Sequence, residues 1–213
     1  MLKDLKKLDG IDYLQVSNNI LLPTSYFPSI EYYAFLSKYK KCKIEKHENF
    51  IKQSIRNRCY IYGANGVLRL TIPKKKSNKK IKDIEICYKS NWQKEHWNAI
   101  KSSYNSSPYF FHYKEKIKSI LHEKEHSLFN LNNKITCEIL NILTNKSKIQ
   151  ETKKYEKEGD FIDLRNYKFN KEIHKPYEQV FTEKHGFITN LSILDLLFNL
   201  GPRSIIYLNN ISI

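Results

Sequence analysis

The chain has 213 residues, with 37 Lys and Arg against 22 Asp and Glu, a formal charge of +15, a pI near 9.5 and 40% hydrophobic residues. Eleven Phe, 15 Tyr and two Trp beside only six Gly and six Pro exclude a collagen-like, mucin-like or linker protein and predict a single packed domain over residues 1–213. No run of about 18 apolar residues is present, and the start Met1-Leu2-Lys3-Asp4-Leu5-Lys6-Lys7 lacks the apolar core of a secretory signal, so the expectation is a soluble, cytoplasmic protein.

The positive charge divides into a compositional part and a local part. Of the basic residues 32 are Lys and five are Arg, and Lys, Ile and Asn together fill 78 positions, a bias that an A+T-rich genome imposes on any protein. Residues 38–82, however, gather 15 basic side chains and two acidic ones, Glu45 and Glu48. That concentration favours an anionic partner for this segment. The competing reading is that Lys74-Lys75-Lys76-Ser77-Asn78-Lys79-Lys80 is a solvated loop. Cys42, Cys59, Cys87 and Cys137 are far apart, with no Cys-x-x-Cys, and read as reduced, partly buried side chains.

In chain order, Ile20-Leu21-Leu22 reads as a short strand, Pro23 to Pro28 as a turn, and the aromatic run through Tyr32, Tyr33 and Phe35 as a helix. Ligands of α/β proteins gather at the carboxyl ends of strands, which places the hydroxyls of Thr24, Ser25 and Tyr26 well. Residues 51–62 alternate, so a strand there points Lys52, Ser54, Arg56, Arg58 and Tyr60 to one face. Two guanidinium groups about 7 Å apart suit a phosphate, a pyrophosphate or a carboxylate; equally, they can pair with Glu45, Glu48 or Glu85 on neighbouring strands. Gly63-Ala64-Asn65-Gly66 marks a hairpin returning through Val67 to Ile72, and the alternation of Ile81 to Tyr88 predicts a third strand, making an antiparallel meander.

From Asn91 the period turns helical. Trp92 and His96 fall one turn apart, a setting in which the imidazole is either a hydrogen-bonded core group or a general base with a shifted pKa. Ser106-Ser107-Pro108 ends this helix and starts another through Phe110, Tyr113, Ile117 and Leu121, and Leu128 to Leu143 reads as a third. The stretch 145–160 is linker-like and predicts a mobile surface loop. Phe161 to Leu164 is a candidate strand, and Asn190 or Thr189 is expected to cap a helix over 191–200 that Gly201-Pro202 stops. His122-Glu123-Lys124-Glu125-His126 matches H-E-x-x-H literally, but its charged interior residues read as a surface helix end, and no metal site is assigned. The fold class is α/β, with mixed α+β as the alternative, and a mainly helical second half.

Four blocks, LLPTSYFPSIEYYAFL at 21–36, ENFIKQSIRNRCYIYGANGVLRLTIPKKK at 48–76, IKDIEICYKSNWQKEHWNAIKSSYNSSPYF at 81–110 and PYEQVFTEKHGFITNLSILDLLFNLGP at 176–202, resemble the WbqC-like protein family in content and order. Members often write the first turn Q-P-x-x-F-P-x-x-G-Y-F; Leu22 and Glu31 stand here for the Gln and Gly. The resemblance implies a role in O-antigen-type surface-polysaccharide biosynthesis and carries over no catalytic residue. Read from the residues, the expected activity is a transferase acting on a nucleotide-linked sugar or similar anionic small molecule, with no cofactor. Lys52, Arg56, Asn57, Arg58 and Tyr26 would bind substrate, His96 would serve as general base, and Trp97 and Tyr104 would shape the pocket. The rivals are a nucleic-acid-binding module built on residues 38–82 and a non-catalytic scaffold of a polysaccharide assembly complex.

Overall fold

The computed structural model describes residues 18–39, 41–76, 79–145, 147–173 and 175–213; the chain start and, within the lysine loop, Ser77 and Asn78 lie outside the described residues. Strand β1 (Asn19–Pro23) leads through a turn to helix α1 (Ile30–Lys38), which returns the chain to β2 (Lys41–Glu45) in parallel register, Leu22 opposite Ile44 and Pro23 opposite Glu45. Parallel neighbours need such a crossover. Ser29 caps α1 by accepting the Tyr32 N–H, and every residue from Ile30 to Leu36 is buried, as expected of a helix covered on all sides. Among these Glu31 is fully enclosed, its carboxylate accepting from the Tyr167 hydroxyl (2.6 Å), the Asn190 amide (2.9 Å) and the Lys171 N–H (3.1 Å).

The hairpin of β3 (Arg58–Gly63) and β4 (Gly66–Thr71) forms where the Gly-Ala-Asn-Gly signal places it. Gly66 closes the turn at φ 98°, a region that side chains avoid. Two expectations fail on either side of it. Residues 52–57 are turns, with Gln53 at φ 57°, so the alternation of 51–62 becomes a strand only from Arg58. No third strand follows: Ile81–Asp83 is a single 3-10 turn, and Glu85 and Ile86 make only isolated bridges, to Ser127 and Lys74. The hairpin remains two-stranded because Ile81, Ile84 and Ile86 are drawn into the core beside α4 rather than along the β4 edge.

Helices α2 (Trp92–Tyr104), α3 (Phe110–His122) and α4 (Leu128–Ile142) follow as the helical period predicts. His122 ends α3 and His126 lies beyond it, so the two histidines do not share a helical face. The linker-like stretch holds β5 (Lys148–Glu151), parallel to β2, and β6 (Ile162–Asp163) pairs parallel with β1. The main sheet is therefore all parallel, in the order β5-β2-β1-β6, with β1 central. A short helix α5 (Thr182–His185) precedes α6 (Ile193–Leu200) and α7 (Ser204–Asn209). Ser192, not Asn190 or Thr189, caps α6; Asn190 instead accepts the Glu31 N–H at the start of α1, and Thr189 accepts the Ile173 N–H. At Gly201 the Tyr109 ring lies 2.4 Å from where a Cβ would stand, so only glycine admits this closure. No described helix is long and apolar enough to cross a membrane.

Candidate functional site

Four parallel strands put four carboxyl ends along one edge of the sheet, the position where α/β folds bind ligands. After β1 the chain runs through Thr24, Ser25, Tyr26 and Phe27, all buried. The Ser25 hydroxyl and Tyr26 N–H both donate to the Ile55 carbonyl (3.2 and 2.9 Å), tying this loop to the turns before β3. Phe27 holds φ 36°, left-handed backbone for a bulky residue, and its carbonyl accepts from the Ser192 hydroxyl.

The neighbouring strand ends supply charge. Glu45, fully buried at the end of β2, accepts at one oxygen from the His47 N–H and the Thr152 hydroxyl (2.7 Å each) and at the other from the Glu156 N–H (3.0 Å). Arg165, two residues past Asp163 on β6, clasps the Asp163 carboxylate through Nε and Nη2, and its Nη1 stands 3.5 Å from Glu45. The Tyr155 ring packs 4.6 Å from this guanidinium. Arg56 binds both oxygens of Glu48 (2.8 and 2.6 Å) with the side chains 3% and 8% exposed, and its Nη2 also donates to the Arg165 carbonyl at 3.2 Å. Burial pushes the Glu48 carboxyl up, against the pull of Arg56, while Arg165 holds Asp163 below the usual carboxylate range. At this edge the Thr24 hydroxyl and Arg165 Nη1 are buried with no hydrogen-bond partner among the described residues.

This layer corrects the expected cation clamp. Lys52 is exposed on a turn, Arg56 is committed to Glu48, and the Asn57 amide donates to the Ile72 carbonyl at 2.9 Å. The alternative of pairing with Glu48 is the one that Arg56 adopts. Of the two arginines, Arg58 is the one with no ion-pair or hydrogen-bond partner among the described residues: it begins β3, on the outer face of the hairpin.

Tyr26 and His96 do meet. The Tyr26 hydroxyl is 2.8 Å from His96 Nδ1, the Trp92 ring packs edge-on against the imidazole at 5.2 Å, and the Thr71 carbonyl engages the ring from elsewhere. Desolvation is the main cause that lowers the His96 pKa to about 4, with the Thr71 bond opposing. Burial raises the Tyr26 hydroxyl, so Tyr26 remains a neutral donor and Nδ1 accepts its hydrogen bond. The two other aromatics expected at this pocket lie elsewhere. Trp97 stacks on Phe110 between α2 and α3, under Lys118. Tyr104 accepts the Tyr62 N–H at 3.0 Å and belongs to a second buried cluster, around Asp195. Asp195 accepts from Tyr177 and Gln179, and burial raises its carboxyl to about 6 against these donors.

Sequence reasoning passed over Glu45, Glu48, Asp163 and Arg165 as site residues. The signal was present in Glu45-x-x-Glu48, the only acids in a basic segment, and in Asp163-x-Arg165 after a strand. A groove of about 530 Å³ opens between α3, α4 and the β2–β5 side, but none of the expected substrate-binding or catalytic residues lines it, and its Lys134 pairs with Glu123 and Glu125.

The family model described as WbqC-like protein family matches residues 24–164 and 147–207. An uncharacterised protein, Rv1507c of Mycobacterium tuberculosis (strain ATCC 25618 / H37Rv), is 24% identical over 225 residues, covering 88% of this chain and 96% of that protein. No solved structure matches.

Proposed function

Because the chain belongs to the WbqC-like protein family, we propose that it is a transferase of O-antigen-type surface-polysaccharide biosynthesis that acts on a phosphate-bearing sugar at the carboxyl edge of its parallel sheet. The observation that carries this reading is the ionic layer of Glu45, Glu48, Arg56, Asp163 and Arg165, assembled at that edge from the ends of β2 and β6 and the turns beside them. Burying charge is expensive and stabilises a fold weakly at best. Carboxyls shifted as Glu48 is by burial and Asp163 by Arg165, beside the ends of parallel strands, are the pattern of a site that handles charge and protons.

Within this reading the Thr24 hydroxyl, without a hydrogen-bond partner among the described residues, and Arg165 Nη1, which has no hydrogen bond there but stands 3.5 Å from Glu45, receive the anionic substrate. His96, neutral at pH 7, accepts the Tyr26 proton as Tyr26 takes one from the attacking hydroxyl or amine of the acceptor, so His96 is the base and Tyr26 its relay. The lysine loop supports a nucleic-acid track less well: Lys75 is paired with Glu85 at 2.6 Å and Lys74 sits over the Phe50 ring.

Titration calorimetry of the full chain against nucleotide sugars and nucleoside-free sugar phosphates tests the reading. One class is expected to bind, at least tenfold more weakly to Thr24→Val, which removes the unpaired hydroxyl with little change of shape. Absence of binding by every member of both classes, with the protein folded, defeats it.

A further inference from the structure

The outer face of the β3–β4 hairpin carries charge of a different kind. Cys59, Ile61 and Leu70 point inward and are buried, so alternation sends Arg58 and Tyr60 outward on β3, opposite Thr71 and Arg69 on β4. Gly63 and Gly66 pair across the turn, and the Ile72 N–H donates to the Asn57 carbonyl; counting along the ladder from these makes Tyr60 and Arg69 a non-hydrogen-bonded pair, the closer kind. Arg58 and Arg69 are then diagonal neighbours, about 7–8 Å apart, and Tyr60 adjoins both, two residues from Arg58 on β3 and directly across from Arg69 on β4.

Neither arginine side chain has an ion-pair or hydrogen-bond partner among the described residues, and Glu45, Glu48, Asp163 and Glu85 are all engaged by other cations. Arg58 goes further: its Nε is buried and unsatisfied, so part of the guanidinium has left water without gaining a partner. Tyr60 is 42% exposed, an aromatic surface presented beside two open cations.

We propose that this face binds the nucleoside diphosphate portion of a nucleotide-linked substrate, Arg58 and Arg69 holding the diphosphate and Tyr60 stacking on the base. This deepens the transferase reading and rests on it for the sugar. Planar guanidinium forks suit the adjacent oxygens of a diphosphate, and an exposed aromatic ring adds affinity for any base with a π-face. Arg58 stands two residues along the chain from Arg56, which belongs to the ionic layer at the sheet edge where the sugar would be handled. The patch is also small. Two arginines around one ring fit a single diphosphate, whereas a nucleic acid needs cations repeated along a track.

The test is equilibrium binding of UDP, ADP and inorganic pyrophosphate to the full chain and to Arg58→Ala, Arg69→Ala and Tyr60→Ala, with folding checked by circular dichroism. UDP or ADP is expected to bind, at least tenfold more weakly to each arginine variant. Tyr60→Ala should weaken the nucleoside diphosphates about tenfold and leave pyrophosphate unchanged, a separation that a general loss of charge or fold cannot produce. Nucleoside-free sugar phosphates that bind while UDP and ADP do not would overturn this assignment and leave the transferase reading standing. Nucleoside diphosphates held by the hairpin, with no sugar-bearing compound bound, would do the reverse. A single-stranded oligonucleotide bound more tightly than UDP, lost in the same variants and falling steeply with salt, would reassign the face to nucleic acid and overturn the proposal.

Discussion

Arg56 and Arg58 stand two residues apart and live in opposite surroundings. Arg56 is buried, bidentate to Glu48 and bonded to the Arg165 carbonyl, while Arg58 begins a strand and presents an open guanidinium on the outer face of the hairpin. A regular strand would have put both on one face. The chain instead turns through residues 52–57, and the break in geometry separates a cation that holds the fold from one available to a ligand. The same division separates Arg165 from Arg69. Basic residues in one segment therefore cannot be pooled into a single patch.

The largest effect follows from breaking the interior member. Arg56→Met leaves the Glu48 carboxylate buried without its partner, and stability should fall by about 3–5 kcal/mol, read from the denaturant midpoint. Removing both charges in Glu48→Leu with Arg56→Met should recover most of that loss, because an apolar pair of similar volume avoids the desolvation cost. A single Arg56→Met variant within about 1 kcal/mol of the parent chain would mean that the pair is solvated, and that the two arginines differ less than the structure has them.

What the sequence made legible was local. The Gly-Ala-Asn-Gly turn, the edge-on Trp92–His96 contact one helical turn apart and the helices through Ile117 and Ile135 all depend on neighbours within a few residues, where periodicity and turn chemistry act. The parallel sheet was not legible. Lys41-Cys42-Lys43-Ile44-Glu45 alternates weakly, and Lys148-Ile149-Gln150-Glu151 sits in a polar stretch; each becomes a strand only because β1 offers a first edge and β2 a second, far along the chain. Asn190 shows the same limit from another side. It has the residue type of a helix cap and caps a helix, but one 159 positions earlier. The site followed the fold: Tyr26 and His96 were both named, and they touch, whereas Glu45 and Arg165 could be connected only through a sheet that the sequence does not display.

A second, smaller effect sharpens what holds the interior groups. His96 and Asp195 are both buried and both favour their neutral forms, so they act on stability with opposite sign over one pH range. The His96 pKa falls from 6.5 to about 4, so the unfolded chain takes up a proton that the folded chain refuses, and this contribution to stability is lost as pH falls through that window. The Asp195 pKa rises from 3.8 to about 6, so the folded chain keeps a proton that the unfolded chain releases, and stability is lost as pH rises from about 4 to about 6. Each contribution is on the order of 3 kcal/mol and the two largely cancel. Asp195→Asn should unmask a stability that climbs with pH between about 4 and 6.5, and His96→Gln one that declines between about 4 and 6. Denaturant midpoints across that range read both slopes; equal, flat profiles in the two variants would contradict the burial of either group.

The smallest effect is expected at the open face, and its smallness is the point. Arg58→Ala removes a guanidinium that has no ion pair among the described residues and whose Nε is buried without a partner. Little attraction is lost, and an unsatisfied buried donor is relieved, so the stability change should stay within about 0.5 kcal/mol. Arg69→Ala, fully on the surface, should behave the same way. A loss above about 2 kcal/mol at Arg58 would show that it holds the hairpin as Arg56 holds the sheet edge. The contrast would then lie in position alone, and the unpaired charge on the hairpin would cease to be a reason to look for a ligand there.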